Sequence, residues 1–181
     1  MDDAALARNI VEGHEQAFRT VVVRYERPLF RFFARFGFAP AAREDLAQET
    51  FLRAFRALSS FDPARGSLAA WLFTIARNLA ASERGRARRE VTPPESAAEA
   101  RSEADGPAEL QERSETMDRL RRALEGLPEA LHSTFVLAEA CELSLKEVAE
   151  IEGCALGTVK SRVHRAREQL RAALAAPERS P

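Results

Sequence analysis

The sequence predicts an all-α fold: two small helical domains, at residues 1–90 and 117–174, a flexible acidic linker at 91–116, and a tail at 175–181. Three observations carry that expectation. Apolar residues recur at steps of three and four on both sides of the linker, as helices buried on one face require. The linker is rich in glutamate, serine and alanine, with Pro93, Pro94, Gly106 and Pro107, and holds almost no large apolar side chain to offset the entropy of ordering it. Near the C-terminus a capped short helix, a glycine turn and a longer basic helix follow in the order of a helix-turn-helix.

In the first domain, Phe18, Val21, Val22, Tyr25, Leu29, Phe32, Phe33 and Phe36 mark one long helical stripe, which Pro28 kinks or divides and Gly37 and Pro40 end. A second helix spans 42–58. Ala47, Phe51, Ala54, Phe55 and Leu58 line its apolar face, and Asp45, Gln48, Glu49, Leu52 and Arg56 the other. Turn residues then make 59–67 a loop. Ser67 is placed to cap a third helix with Leu68, Leu72, Ile75 and Leu79 on one side, which runs on into the basic segment from Ser82 to Arg89.

The second domain opens with Leu120, Leu124 and Leu127, breaks at Pro128, and continues as a helix over 129–140. Ser144 and Glu147 fit a capping box for a short helix whose Leu145, Val148, Ala149 and Ile151 point inward. Gly153 suits a positive φ in the turn. Val159, Val163, Ala166 and Leu170 form the buried stripe of the last helix, leaving Lys160, Ser161, His164, Arg165 and Arg167 outward. Such a basic second helix fits the major groove, where arginine pairs with guanine and lysine or serine reaches bases or phosphates; a solvated basic face is the plainer alternative.

Composition narrows the class. The chain has 181 residues, 45% hydrophobic and 30% charged, as a globular protein has. No apolar run approaches the ~18 residues of a membrane helix, and the acidic Met1-Asp2-Asp3 opening leads to no secretory signal, so a cytoplasmic location without membrane insertion is expected. A net charge of -1 hides +5 over residues 1–89, -7 over 90–118 and +1 over 119–181. His132, Cys141, Cys154 and His164 have no zinc-ligand spacing, and two cysteines make no disulfide scaffold. Gly66, Gly85 and Gly153 are isolated, so there is no phosphate loop. No catalytic residue, metal or cofactor is expected, and the chain reads as a non-enzyme.

Three segments then carry a resemblance: Asp45-Leu46-Ala47-Gln48-Glu49-Thr50-Phe51, Trp71-Leu72-Phe73-Thr74-Ile75-Ala76-Arg77-Asn78, and Gly157-Thr158-Val159-Lys160-Ser161-Arg162. In order and spacing the chain resembles an extracytoplasmic-function (ECF) sigma factor, over nearly all of its length outside the linker and tail. The resemblance implies a region 2 domain that holds the β′ clamp helices of RNA polymerase core and opens the minus-ten element. It implies a region 4 domain that reads the minus-35 element and touches the β flap, and an anti-sigma partner that hides both DNA surfaces.

On that resemblance, Asp45, Gln48, Glu49 and Leu52 form the core polymerase face, by charge and one apolar contact. Phe61, Arg65 and Asn78, with Arg84, Arg86 and Arg88, meet minus-ten DNA: a stacking ring, an amide for a base edge, and cations for phosphates. Phe61 is equally suited to the core, and Trp71 is read as structural. Thr158, Lys160, Ser161, Arg162, His164 and Arg165 fall where the family makes minus-35 contacts, although helical geometry turns Arg162 toward the flank and His164 stands where some relatives have an aromatic residue. Two other readings compete: a stand-alone dimeric helix-turn-helix regulator, which needs neither the acidic Asp45/Glu49 face nor the loop with Asn78, and a helical adaptor for acidic proteins, which would not bind duplex DNA.

Overall fold

The computed structural model describes residues 5, 6, 8, 9, 15–89, 107–141 and 143–175; the side chains of Glu15, Ser59, 87–89 and 107–115 also fall outside the description. Seven α-helices order the described chain: α1 (Glu15–Arg35), α2 (Pro40–Arg56), α3 (Leu68–Arg89), α4 (Pro107–Glu125), α5 (Glu129–Ala140), α6 (Leu145–Glu152) and α7 (Leu156–Ala175). A 3-10 turn at Leu58–Ser60 leads into the loop before α3.

In the N-terminal half, α1 and α3 both pack on α2. Val21, Tyr25, Leu29, Phe32, Phe33 and Phe36 are buried, as their spacing requires. Pro28 does not divide α1, which runs unbroken through it. Gly37 ends the helix at φ 83, a conformation that costs a residue with a Cβ ~1–2 kcal/mol. Pro40 then sits in the first turn of α2, where its missing N–H costs nothing. The face of α2 is rotated from the expected one: Leu46, Ala47, Thr50 and Ala54 are buried, whereas Phe55 is 52% exposed and packs edge-to-face with Phe18, ring centroids 5.2 Å apart.

The C-terminal half keeps its expected elements with one correction. Helix α4 begins at Pro107, so residues 107–116, assigned to the linker, are helical. Few apolar residues made them look unstructured, but proline in the first turn followed by alanine, glutamate, leucine, glutamine and arginine favours a helix by propensity. Residues 90–106 lie outside the description. Helix α5 starts after Pro128, and α6 has the full capping box: the Ser144 hydroxyl accepts from Glu147 N–H, and the Glu147 carboxylate accepts from Ser144 N–H at 2.8 Å. Gly153 closes α6 at φ 60. Val159, Val163, Ala166 and Leu170 are the buried stripe of α7.

What no periodicity announced is how the halves meet. Helix α6 lies against α3, and α5 lies against α1. One buried cluster therefore runs from Leu6 and the α1 phenylalanines through Leu72 and Phe73 into Val136, Leu137, Val148, Ile151 and Val159. A smaller cluster of Leu124, Leu127, Ala166 and Leu170 ties α4 to α7.

Candidate nucleic-acid interface

The loop before α3 and the first turns of that helix surround a cavity of about 230 Å³. Phe61 and Trp71 form an aromatic wall, their ring centroids 5.2 Å apart. Asp62, Arg65, Ser67 and Thr74 supply polar groups, and Glu150 closes one side from α6. Phe61 is both core and cavity: its side chain is buried, yet it borders the space. Trp71, read as structural, lines the space as well. Its position one turn after the Ser67 cap is the signal that was available for this. Asn78 is exposed one turn beyond Thr74 and does not border the cavity, so Phe61 and Asn78 are not brought together here.

The arginines of α3 and of the loop before it differ in their engagements. Arg65 is exposed at the cavity mouth. Arg86 is exposed and paired with Glu83 at 2.9 Å, while the side chain of Arg88 lies outside the described residues. Arg84 instead donates to Nδ1 of His132 at 2.8 Å and lies over the Phe36 ring, 5.7 Å from its centroid.

His132 is 0% exposed and stacks on Phe36 at 4.7 Å. Its Nε2–H donates to the carbonyl of Arg35 at 3.0 Å, one of the last carbonyls of α1. Because arginine only donates, Nδ1 is the acceptor and the ring is neutral. Burial, opposed by the Arg35 carbonyl and helped by the positive charge of Arg84, lowers its pKa to about 4.

Three acidic side chains of α6 face α3. Glu147 accepts the Ser67 hydroxyl at 2.6 Å, while that hydroxyl oxygen accepts Ala70 N–H at 3.0 Å as the α3 cap. Burial pushes the Glu147 carboxyl up, but hydrogen bonds from Ser67 and from the backbone and side chain of Ser144 outweigh it and leave its pKa below the ordinary value. Glu150 stands close enough to Gly66 that a Cβ there would lie 3.1 Å from its Oε2. Glu152, 1% exposed, accepts from Ser133 at 2.5 Å and pairs with Arg77 of α3 at 3.5 Å and Arg162 of α7 at 3.3 Å. None of these contacts was legible in the sequence: Glu147 was a cap, and His132 a rejected zinc ligand.

On α7, Lys160, Ser161, His164 and Arg165 are exposed along one face and Thr158 is half-buried at its start. His164 lies 3.4 Å from Glu168. Arg162 turns away from that face toward Glu152, with Cys154 Sγ 3.9 Å off, so in this structure it is an internal ion-pair partner. On α2, Asp45, Gln48, Leu52 and Phe55 share an exposed stripe, while Glu49 pairs with Arg53 at 2.7 Å. Phe55 is the member that sequence reasoning placed in the core.

Comparison with known proteins places these surfaces in context. Residues 21–90 match the family model for Sigma-70 region 2, and residues 117–170 match that for Sigma-70, region 4. The ECF RNA polymerase sigma-E factor of Escherichia coli is 34% identical across 94% of this chain and 93% of its own. The chain belongs to the ECF sigma factors. The ECF sigma factor EcfG of Rhodopseudomonas palustris is 41% identical over 72% of this chain and 70% of its own. Relatives that match both halves in one polypeptide displace the stand-alone regulator and the adaptor.

Two solved structures resemble this ECF sigma factor across both halves at once. CnrH in complex with the cytosolic domain of CnrY has a TM-score of 0.75 at 29% identity, covering 97% of this chain and 99% of its own. RpoE from Bartonella quintana in complex with the anti-sigma factor NepR has 0.71 at 30%, covering 89% and 98%. Among the described residues, no helix is long and apolar enough to cross a membrane.

Proposed function

We propose that this ECF sigma factor joins bacterial RNA polymerase core and directs initiation at promoters carrying its own minus-ten and minus-35 elements. The observation that carries the proposal is the cavity beside Phe61 and Trp71. At about 230 Å³ it is smaller than the ~300 Å³ at which small-molecule sites begin, and an aromatic wall flanked by Arg65 suits one unpaired base with its phosphate. Capturing a base in this way offsets the few kcal/mol that unstacking it costs, so strand opening needs no ATP.

Residues 1–90 form the polymerase and minus-ten domain. Asp45, Gln48, Glu49, Leu52 and Phe55 meet the β′ clamp helices: Leu52 and Phe55 supply the apolar contact, and the carboxylates steer. Residues 117–174 form the minus-35 domain, with 91–116 as connector. Thr158, Lys160, Ser161, His164 and Arg165 address the major groove, and the same domain touches the β flap. Arg65, Asn78, Arg84, Arg86 and Arg88 follow the minus-ten strand. The chain works in the cytoplasm, without a cofactor and not as an enzyme. An anti-sigma factor holds it inactive, a partnership supported by the complex of the Bartonella relative with NepR.

Reconstitution with sigma-free core polymerase, followed by run-off transcription from a pooled promoter-fragment library, tests the proposal. Specific products sharing two spaced elements are expected. Failure to bind core, with no product from any fragment, would overturn it.

A further inference from the structure

Contacts between the two halves follow α3 almost from end to end. Ser67 at its start bonds Glu147, Arg77 in its middle pairs with Glu152, and Arg84 near its end bonds His132. The span from Ser67 to Arg84 is about 25 Å along the axis at ~1.5 Å per residue. Every C-terminal partner in this series comes from α5 or α6, and α6 also places Glu150 on the rim of the cavity. The exposed face of α7 takes no part in the seam: Lys160, Ser161, His164 and Arg165 remain open.

Resting on the sigma-factor reading above, we propose that this chain closes on itself, with α6 docked along α3 as a built-in block of the minus-ten site that leaves the minus-35 face free. The chemistry of the seam fits such a block. Glu147, Glu150 and Glu152 present carboxylates where a nucleic acid would bring phosphates, on a helix flanked by arginines. Glu147 meets the α3 N-terminus, a position that stabilises an anion whether it is a carboxylate or a phosphate. In the closed chain Arg84 is engaged with His132 and the Phe36 ring, which leaves fewer of its N–H donors for a phosphate. Single-stranded DNA and α6 therefore compete for one surface, and the closed fraction reduces apparent affinity for the strand in proportion.

His132→Ala separates this mechanism from simple charge effects, because the histidine is neutral, buried and outside the cavity. Glu147→Gln is a milder second variant should His132→Ala fold poorly, with Glu26→Gln on the exposed face of α1 as its charge control. Full-length proteins carry dyes at Ser82→Cys and Arg171→Cys in a Cys141→Ala/Cys154→Ala background. Interdomain energy transfer is read alongside anisotropy with a fluorescein-labelled randomised single-stranded 12-mer pool. Duplex minus-35 fragments, taken from the promoters the library yields, serve as the second probe.

Wild type is expected to show one short interdomain distance. The latch variants should lengthen it and bind the single-stranded pool about tenfold more tightly if the closed form holds nine-tenths of the chains, with duplex affinity and the Glu26→Gln control unchanged. An extended wild type overturns the proposal. So does a variant whose domains separate without a gain for the single strand, and so does a variant that keeps the short distance. Run-off transcription by wild type in the same series shows that any such failure concerns the block alone; no transcription from any protein indicts the sigma-factor reading instead.

Discussion

The Glu147 carboxylate links the cap residues of two helices from different halves of the chain: Oε1 accepts the Ser67 hydroxyl at 2.6 Å and Oε2 accepts the Ser144 N–H at 2.8 Å. Ser67 begins α3 and Ser144 begins α6, so one side chain joins the helix N-termini of the two domains. A helix N-terminus has donors without intrahelical partners; Ser67 Oγ serves Ala70 N–H at α3 while donating its own O–H to Glu147, which serves Ser144 N–H directly at α6. The geometry explains why the halves meet in this register and why separating them would raise the Glu147 pKa toward its ordinary value.

Closure should weaken in acid. His132 titrates at about 4 when buried and near its ordinary 6.5 when the halves part, so the open form takes up the proton first. The histidine's contribution is intact above about pH 6.5 and declines as the pH falls toward 4, by about 3 kcal/mol in all. Glu147, with its pKa lowered, weakens closure in the same direction only below its ordinary 4.5. Interdomain energy transfer between pH 7.5 and 5 should fall in wild type and stay flat in His132→Gln. A flat wild-type profile would remove the histidine from the latch.

Arg162 and Arg165 should separate cleanly. Arg165→Ala is expected to cost about 1–3 kcal/mol of discrimination at one minus-35 base pair with urea stability unchanged, as for an exposed base-reading arginine. Arg162→Ala removes a partner from buried Glu152, leaving Arg77 and Ser133, and should lower stability by about 1–3 kcal/mol with promoter preference retained. Selection from randomised duplexes beside urea melts checks both. A reversed pattern would return Arg162 to the groove.

The exposed stripe of α2 predicts a ranking. Leu52→Ala and Phe55→Ala should each weaken core polymerase binding more than Asp45→Ala, since an anchor buried in an interface outweighs a rim charge. Asp45→Ala should act mainly on the association rate and lose its effect at high salt. Surface plasmon resonance on immobilised core measures both rates. Equal off-rates for Phe55→Ala and wild type would place the ring outside the contact.

Gly153→Ala isolates the backbone requirement of the helix-turn-helix. At φ 60, with nothing within 4 Å of a built Cβ, its cost is conformational and should be about 1 kcal/mol. Gly66→Ala has an ordinary φ but a Cβ 3.1 Å from Glu150 Oε2, so it should loosen the seam with little effect on the melting of either half. Thermal unfolding and interdomain distance together tell the two apart.

Periodicity made most elements legible. The α7 stripe, the Ser144–Glu147 box and the positive φ of Gly153 were all readable, because each is a local pattern that fixes local geometry. Phe55 was misplaced because a helix face reads as core from its apolar residues alone, and small Ala54 and Thr50 took the buried side. Residues 107–116 were misjudged for the opposite reason: a helix needs propensity more than apolar content.

By itself, the sequence determined the helices, their caps and the family, since these follow from residue type at short spacing. Only the tertiary structure decided that His132, Glu147, Glu150 and Glu152 face α3, that Arg84 and Arg162 turn inward, and that Trp71 walls a cavity. The bond from Ser67 to Glu147 alone joins residues 80 positions apart. The energies of these contacts depend on burial and on which charges share a low-dielectric seam, and neither exists until the helices have packed.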